Sequence, residues 1–317
     1  MDLPPYLDLP GSYAYSNPYQ LTGVNQQVFM LRASLDRLRA VTDQWLNAVP
    51  NSEYRFDPLL PLVMCTPIWI DRVISPSWPG GWMHESDLGF AYVVACSRRG
   101  LFDHIALAIP YLVVDNPKAV TAGREIYGYR KVCGDMDYVA GTWQPAAAST
   151  GVFKTTLPDE EWQVAEVVRI LPPPIYGSAV RDANWEDIRA LEQIVDQTLI
   201  MDVGVAIEHL MAMLANQSIT NAFVLQLRDA EQPTRAGYQA LIEMPMQITN
   251  LVYGRLLPDG FAVKLTDYPS YPLISDLGIE VDADNVAKSV LSYQTFYDAI
   301  LQPGSVLQVG GRTTTTS

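Results

Sequence analysis

The 317-residue chain is poor in the residues that most often announce metal chemistry or a disulfide framework, with three cysteines and three histidines. Cys65, Cys96 and Cys133 are odd in number and widely spaced, which fits free thiols in a reducing compartment. His84, His104 and His209 are scattered and form no HExxH pair, so no metal site is expected. Basic residues are scarce too: 21 Lys+Arg, only five of them lysine, against 35 Asp+Glu, for a net charge of −14. That balance argues against a surface that neutralises nucleic-acid phosphates. It reads instead as a solvated acidic exterior. The longest apolar run, Ile105 to Val114, is interrupted by Pro110 and falls short of the ~20 residues that cross a bilayer. The opening MDLPPYLDLPGSYAYSNPYQ has neither the basic start nor the continuous apolar stretch of a signal peptide. There is no GxxxxGK[ST], no GxGxxG opening a helix after a strand and no GxSxG elbow. The expectation is a cytoplasmic protein that binds neither nucleic acid nor membrane and needs no cofactor.

What is present is apolar substance: 49% hydrophobic and 10% aromatic residues, enough for a large globular core. Residues 1–20, rich in Pro, Tyr and Ser, read as an extended arm. Gln27 to Leu31 suit a strand. Ser34 offers an N-cap for a helix from Leu35 to about Ala48, with an apolar stripe at Leu35, Leu38, Val41, Trp45 and Leu46. Leu59 to Ile74 suggests two buried strands or one bent one. Further strands are expected at Leu88–Cys96, Asp137–Trp143, Gly151–Leu157 and Gln163–Ile170. So many short strands with few helices between them point to a curved or closed antiparallel sheet. A helical insert at about 185–215 interrupts the pattern, its Met201, Met211 and Met213 reading as packing. Strands return from Asn221, a helix or strand closes the body over Asn285–Leu301, and 304–317 reads as a flexible tail.

The stretch with chemical content is Val113 to Gly134, VVDNPKAVTAGREIYGYRKVCG. Lys131 lies there among Tyr127, Tyr129, Val132 and Cys133. An exposed amine has a pKa near 10.4 and is almost wholly protonated at neutral pH. Apolar surroundings disfavour the ammonium, lower that value and leave a nucleophile for carbonyl carbon. The bland alternative is a structural ammonium paired with Glu125 or another carboxylate.

GREIYGYRK resembles the signature of the acetoacetate decarboxylase superfamily: GRE, a hydrophobic residue, two further positions, an aromatic, then Pro-Lys-Lys. Its leader PYLVVDNPKAVTAGRE, with the Pro110-Tyr111 and Asp115-Asn116 pairs, is similar as well, and the likeness extends over roughly residues 22 to 300. The resemblance implies an α+β fold of 21–303, a curved closed antiparallel β-cone with flanking helices, assembled as a homo-oligomer. It places Lys131 on the Schiff-base lysine and Tyr129 on the aromatic position. Arg130 replaces the proline, and Val132 replaces the second lysine and removes its charge. Tyr92 takes the place of an upstream glutamate, Val24 that of a pocket arginine, and Cys65 or Thr66 that of another glutamate.

The reaction implied is that of a cofactor-independent lyase. Lys131 forms an imine with a keto substrate, and the imine accepts the electrons left when a β-keto acid loses carbon dioxide. Aldol condensation and dehydration through the same imine is the first alternative. A non-catalytic small-molecule-binding relative is the second. Tyr92 and Glu243 are the candidate proton carriers beside Lys131, although strand alternation in IEMPMQI leaves the face of Glu243 open. Arg124, Glu125, Tyr127, Tyr129 and Arg130 are candidates for the pocket wall or for shaping the turn. Glu85 and Asp87 read as loop residues facing solvent, of which one reaches the pocket rim through its proximity to the Tyr92 strand.

Overall fold

The computed structural model describes residues 15–78, 80–138, 145–156, 160–173, 181–182 and 218–310. The expected helical insert at 185–215 lies outside them, as does most of the N-terminal arm. Strand dominates. The elements are β1 (Tyr19–Arg32), α1 (Leu35–Gln44), β2 (Tyr54–Pro58), β3 (Leu62–Ile74), β4 (Met83–Arg98), β5 (Leu101–Val114) and α2 (Pro117–Ala122). They continue as β6 (Lys131–Tyr138), β7 (Pro145–Val152), β8 (Gln163–Leu171), β9 (Arg181–Asp182), β10 (Ser218–Arg228) and β11 (Ala236–Leu256). Last come β12 (Ala262–Leu265), α3 (Leu273–Leu277), β13 (Val286–Leu301) and β14 (Ser305–Gly310).

The pairings among the described residues form a ring: β1–β3–β4–β5–β10–β11–β13 and back to β1. A second path, β6–β7–β8–β12, bridges β5 to β13. Side chains alternate along these strands, so one set of faces meets inside. Phe29, Phe90, Phe223, Leu88, Leu241 and Met244 are fully buried in the core. The α1 helix covers the outside. Ser34 caps it by accepting the Arg37 N–H, and Leu38 and Val41 face inward, as the stripe predicts.

Two expectations change, and one choice between alternatives is decided. The sheet is mixed rather than purely antiparallel, because β5 pairs parallel to both β6 and β10. Adjacent parallel strands need a crossover, and α2 with the turn after it supplies the one from β5 to β6. The 59–74 stretch is a single long strand from Leu62 that carries Pro67 within it. The expected flexible tail from 304 forms β14 over Ser305–Gly310, where its backbone pairs with β11.

Candidate active site

Lys131 opens β6 at the return of the crossover, level with Leu112 of β5. Between them α2 starts with Pro117 in its first turn, capped by Asn116, whose side chain accepts the Lys118 N–H at 3.0 Å. Gly123 to Tyr127 then forms one π-helical turn, ending on Gly128 in the left-handed region at φ 82°. Two glycines of the motif therefore have distinct jobs. A Cβ at Gly123 would lie 2.8 Å from Lys131 Cδ, and one at Gly128 would lie 2.6 Å from the backbone of Val224 and Leu225. Gly123 makes room for the lysine stem, and Gly128 lets the turn press against β10.

The ammonium is 8% exposed and lies 2.5 Å from Glu85 Oε1. Glu85 stands on β4, two residues before Asp87, and period-two alternation turns both carboxyls to the same face. Both are buried. The Asp115-Asn116 pair aims this strand. Asp115 accepts the Ser86 N–H at 2.8 Å, and the Asn116 amide donates to the His84 carbonyl at 2.6 Å. The residues on either side of Glu85 are thus tied to the segment that leads to Lys131.

Around these groups is a cavity of about 100 Å³. Its walls are mostly apolar and aromatic, including Leu21, Val24, Ile70, Met246, Tyr127 and Tyr129. The Tyr129 ring centre is 5.2 Å from the ammonium and packs on Phe223 at 4.0 Å. Burial, then the charge of Glu85, holds the Asp87 carboxyl well above the usual carboxylate range, with Lys131 pulling the other way. Its Oδ1 is buried without a hydrogen-bond partner.

The charge state of Lys131 differs from the sequence expectation. Burial by itself would pull its pKa down, and it is the largest single influence. The carboxyls of Asp87 and Glu85, the latter hydrogen-bonded, together outweigh it and raise the value above that of an ordinary lysine. Apolar neighbours in the sequence do not reveal two acids brought in from another strand. The two carboxyls thus favour the charged form of the amine, and Glu85 is in hydrogen-bond contact with it.

No protein-family model matches the sequence, and no curated protein does. Solved structures do. The chain is similar to the acetoacetate decarboxylase of Legionella pneumophila, with a TM-score of 0.60 at 14% identity over 98% of this chain and 93% of that one. The chain has the acetoacetate decarboxylase fold. It is also similar to an acetoacetate decarboxylase-like enzyme from Sphingomonas wittichii RW1, with a TM-score of 0.56 at 13% identity over 94% and 95% of the two chains. A third similar structure is the enduracididine biosynthesis enzyme MppR complexed with the condensation product of pyruvate and imidazole 4-carboxaldehyde. There the TM-score is 0.52 at 12% identity over 94% and 92%.

Within the acetoacetate decarboxylase fold, the residues singled out from sequence fall into two groups. Lys131, Glu85, Tyr127 and Tyr129 line one cavity. Tyr92 and Glu243 do not line it. Tyr92 has the opposite strand parity to Glu85 and Asp87, and it shares a 2.8 Å hydrogen bond with Thr42 of α1. Burial pushes its phenol up to about 12. Glu243 lies on the far face of β11 from Met246 and accepts from His104 at 2.5 Å. Gapless alignment places Tyr92 without regard to the pleat, and the face of Glu243, open in the sequence, turns away from the cavity. Arg124, Glu125 and Arg130 line a second cleft, which Tyr129 and Lys131 also border. The Arg130 guanidinium sits over Trp45 and Tyr111 at 5.9 and 5.6 Å, because consecutive residues point to opposite sides of the backbone. Asp87, read from the sequence together with Glu85 as a loop residue, stands with it on β4 and lines the same cavity. Its i, i+2 spacing from Glu85 on a β-favouring run was the signal available.

Among the described residues, Cys96, Asp103 and His104 are close enough for donor atoms to share an ion. Both ring nitrogens of His104 already face carboxylates, Asp103 at 3.0 Å and Glu243 at 2.5 Å, which suits an imidazolium better than a metal ligand. Among the described residues no helix is long and apolar enough to cross a membrane.

Proposed function

We propose that the chain is a divergent member of the acetoacetate decarboxylase superfamily: a cofactor-independent lyase in which Lys131 forms an imine with a keto substrate and decarboxylates a β-keto acid. The observation that carries this reading is an amine in an apolar cavity, in contact with one buried carboxylate and close to another. Glu85 takes a proton from the ammonium. The freed Nζ attacks the keto carbon, and the carbonyl oxygen takes a proton from the Asp87 carboxyl, whose pKa burial and the Glu85 charge hold above the usual carboxylate range. Glu85 gives the proton it took from the ammonium to the hydroxyl, which leaves as water while Asp87 takes one back from nitrogen. The iminium's positive charge then rests against the Glu85 carboxylate. The bond from the α-carbon to the carboxylate then breaks, its electron pair forms the enamine and carbon dioxide leaves. A carboxyl returns a proton to carbon, and water releases the ketone and the amine. The apolar walls strengthen each of these electrostatic contacts.

A second reading is supported by the pair of acids and by the MppR likeness. Aldol addition and dehydration need proton delivery at two stages, and Glu85 with Asp87 supplies two groups for it. Both readings use the same ring of strands, which we take to be the curved cone of the superfamily, and our proposal includes assembly as a cytoplasmic homo-oligomer.

Borohydride reduction in the presence of a panel of β-keto and α-keto acids, followed by peptide mass spectrometry, tests the reading. The expected result is a substrate-sized adduct on Lys131, with carbon dioxide released from the β-keto acids. An adduct without carbon dioxide favours the aldol reaction. No adduct, with ligand bound equally well by Lys131→Ala, overturns the enzymatic reading in favour of a binding protein.

A further inference from the structure

Val73 and Met83 wall the Lys131 cavity on one side and a second hollow of about 90 Å³ on the other. That hollow is lined by Tyr15, Trp78, Trp82 and Lys118. We propose that it is the outer half of one elongated binding site, and that it takes a planar aryl group bearing a carboxylate at the end of the substrate remote from Lys131. The inference rests on the Lys131 reading for its inner half.

The rings are held in place for a ligand. Trp78 and Trp82 are 55% and 58% exposed. The Trp78 indole lies directly on Gly81, where a Cβ would meet its Cδ1 at 1.6 Å, and the Tyr15 ring meets it edge-on at 5.8 Å. The Arg72 guanidinium sits 5.3 Å over Trp82. The Ser75 hydroxyl donates to the Ser16 carbonyl at 2.6 Å, and Ser77 Oγ accepts the Ser16 N–H at 3.1 Å. Two large π-faces are therefore presented to solvent by a loop that is tied down. Ordered, exposed aromatic faces bind planar groups at small entropic cost.

The charge at the mouth has the sign that a carboxylate needs. Lys118 lines the hollow and Arg72 lies over the Trp82 ring in a chain of net charge −14, and neither forms an ion pair among the described residues. The Lys118 ammonium lies 6.0 Å from the Tyr15 ring. Inside, Lys131 is committed to Glu85, and Val24 stands where the superfamily resemblance implies an arginine. One helix links the two halves. Ala119 and Ala122 of α2 line the inner cavity, and Lys118 lines the outer one. A substrate with its ketone at Lys131 and its tail along Val73 and Met83 brings its far end to the tryptophans and Lys118.

The test is isothermal titration calorimetry of the full chain with 3-(4-carboxyphenyl)propionate, which has no keto group, and with its saturated cyclohexane analogue of equal charge. The aryl compound is expected to bind about tenfold more tightly, on the scale of aromatic contacts. Trp78→Ala and Trp82→Ala each remove most of that difference, and Lys118→Gln weakens both compounds. Equal affinity for the two compounds, or a preference that survives in both tryptophan variants, overturns the proposal. So does sedimentation showing an oligomer that dissociates on Trp78→Ala and Trp82→Ala, since the rings are then an interface. Failure of the Lys131 reading is separate: borohydride traps no keto acid while the aryl preference persists.

Discussion

Gly123 and Lys131 are eight positions apart in sequence and in contact in space: a methyl group on the glycine would press 2.8 Å from the lysine Cδ and 3.0 Å from its Cε. The glycine that opens the motif therefore sets the path of the amine into its cavity. Gly123→Ala must displace the lysine stem or shift the turn, a cost of about 1–3 kcal/mol for overpacking. Borohydride trapping at Lys131 should fall at least about tenfold while the thermal transition moves by only a few degrees. Unchanged trapping would show that the stem has another route to the cavity.

Gly128 tests the turn itself. At φ 82°, with β10 backbone atoms 2.6 Å from the place of a Cβ, an alanine there is both strained and blocked by backbone that cannot swing aside. Gly128→Ala should lower stability by more than about 1 kcal/mol, read as a shift of the denaturant midpoint. A midpoint within error of the wild type would refute the assigned contact.

The pH dependence of imine formation follows from the raised pKa of Lys131. The free amine is a small fraction at neutral pH, so the trapping rate should climb as pH rises beyond 7. Glu85→Gln removes one of the charges that hold the value up, and the climb should move to lower pH. A profile unmoved by that substitution would mean that Glu85 does not govern the protonation of Lys131.

Asp87 links stability to pH. Its carboxyl is held above its unfolded value, so between the two values the folded state binds more protons and stability falls as pH rises. Asp87→Asn resembles the protonated acid and is free of this dependence. The stability of the wild type relative to Asp87→Asn should therefore decline from pH 4 to 7 in urea titrations, while the variant loses trapping activity. A flat difference would place the carboxyl in its ionised form.

His104 gives a second linkage. The Glu243 hydrogen bond raises its pKa against the pull of burial, with Asp103 adding to the rise. Its contribution is complete below the unfolded histidine value, near 6.5, and fades as pH climbs through the raised folded value. The difference in Tm between wild type and His104→Gln should shrink from pH 6 to pH 9. A constant difference would remove the imidazolium from the account.

Much was legible in the chain itself, and for local reasons. The Ser34 cap, the apolar stripe of α1, the runs that become β4, β8 and β10, and the clustering of Tyr127, Tyr129 and Lys131 all depend on neighbours within a few positions. The motif also resembles one family strongly enough to indicate the fold before any coordinates. Only tertiary structure decided which acids meet the amine. Glu85 and Asp87 arrive from a strand more than forty residues away, and the pleat selects them over Tyr92 by parity alone. The same pairing reversed the expected charge of Lys131. Desolvation is a property of a segment's own composition, whereas an ion pair exists only once two distant strands have been laid side by side.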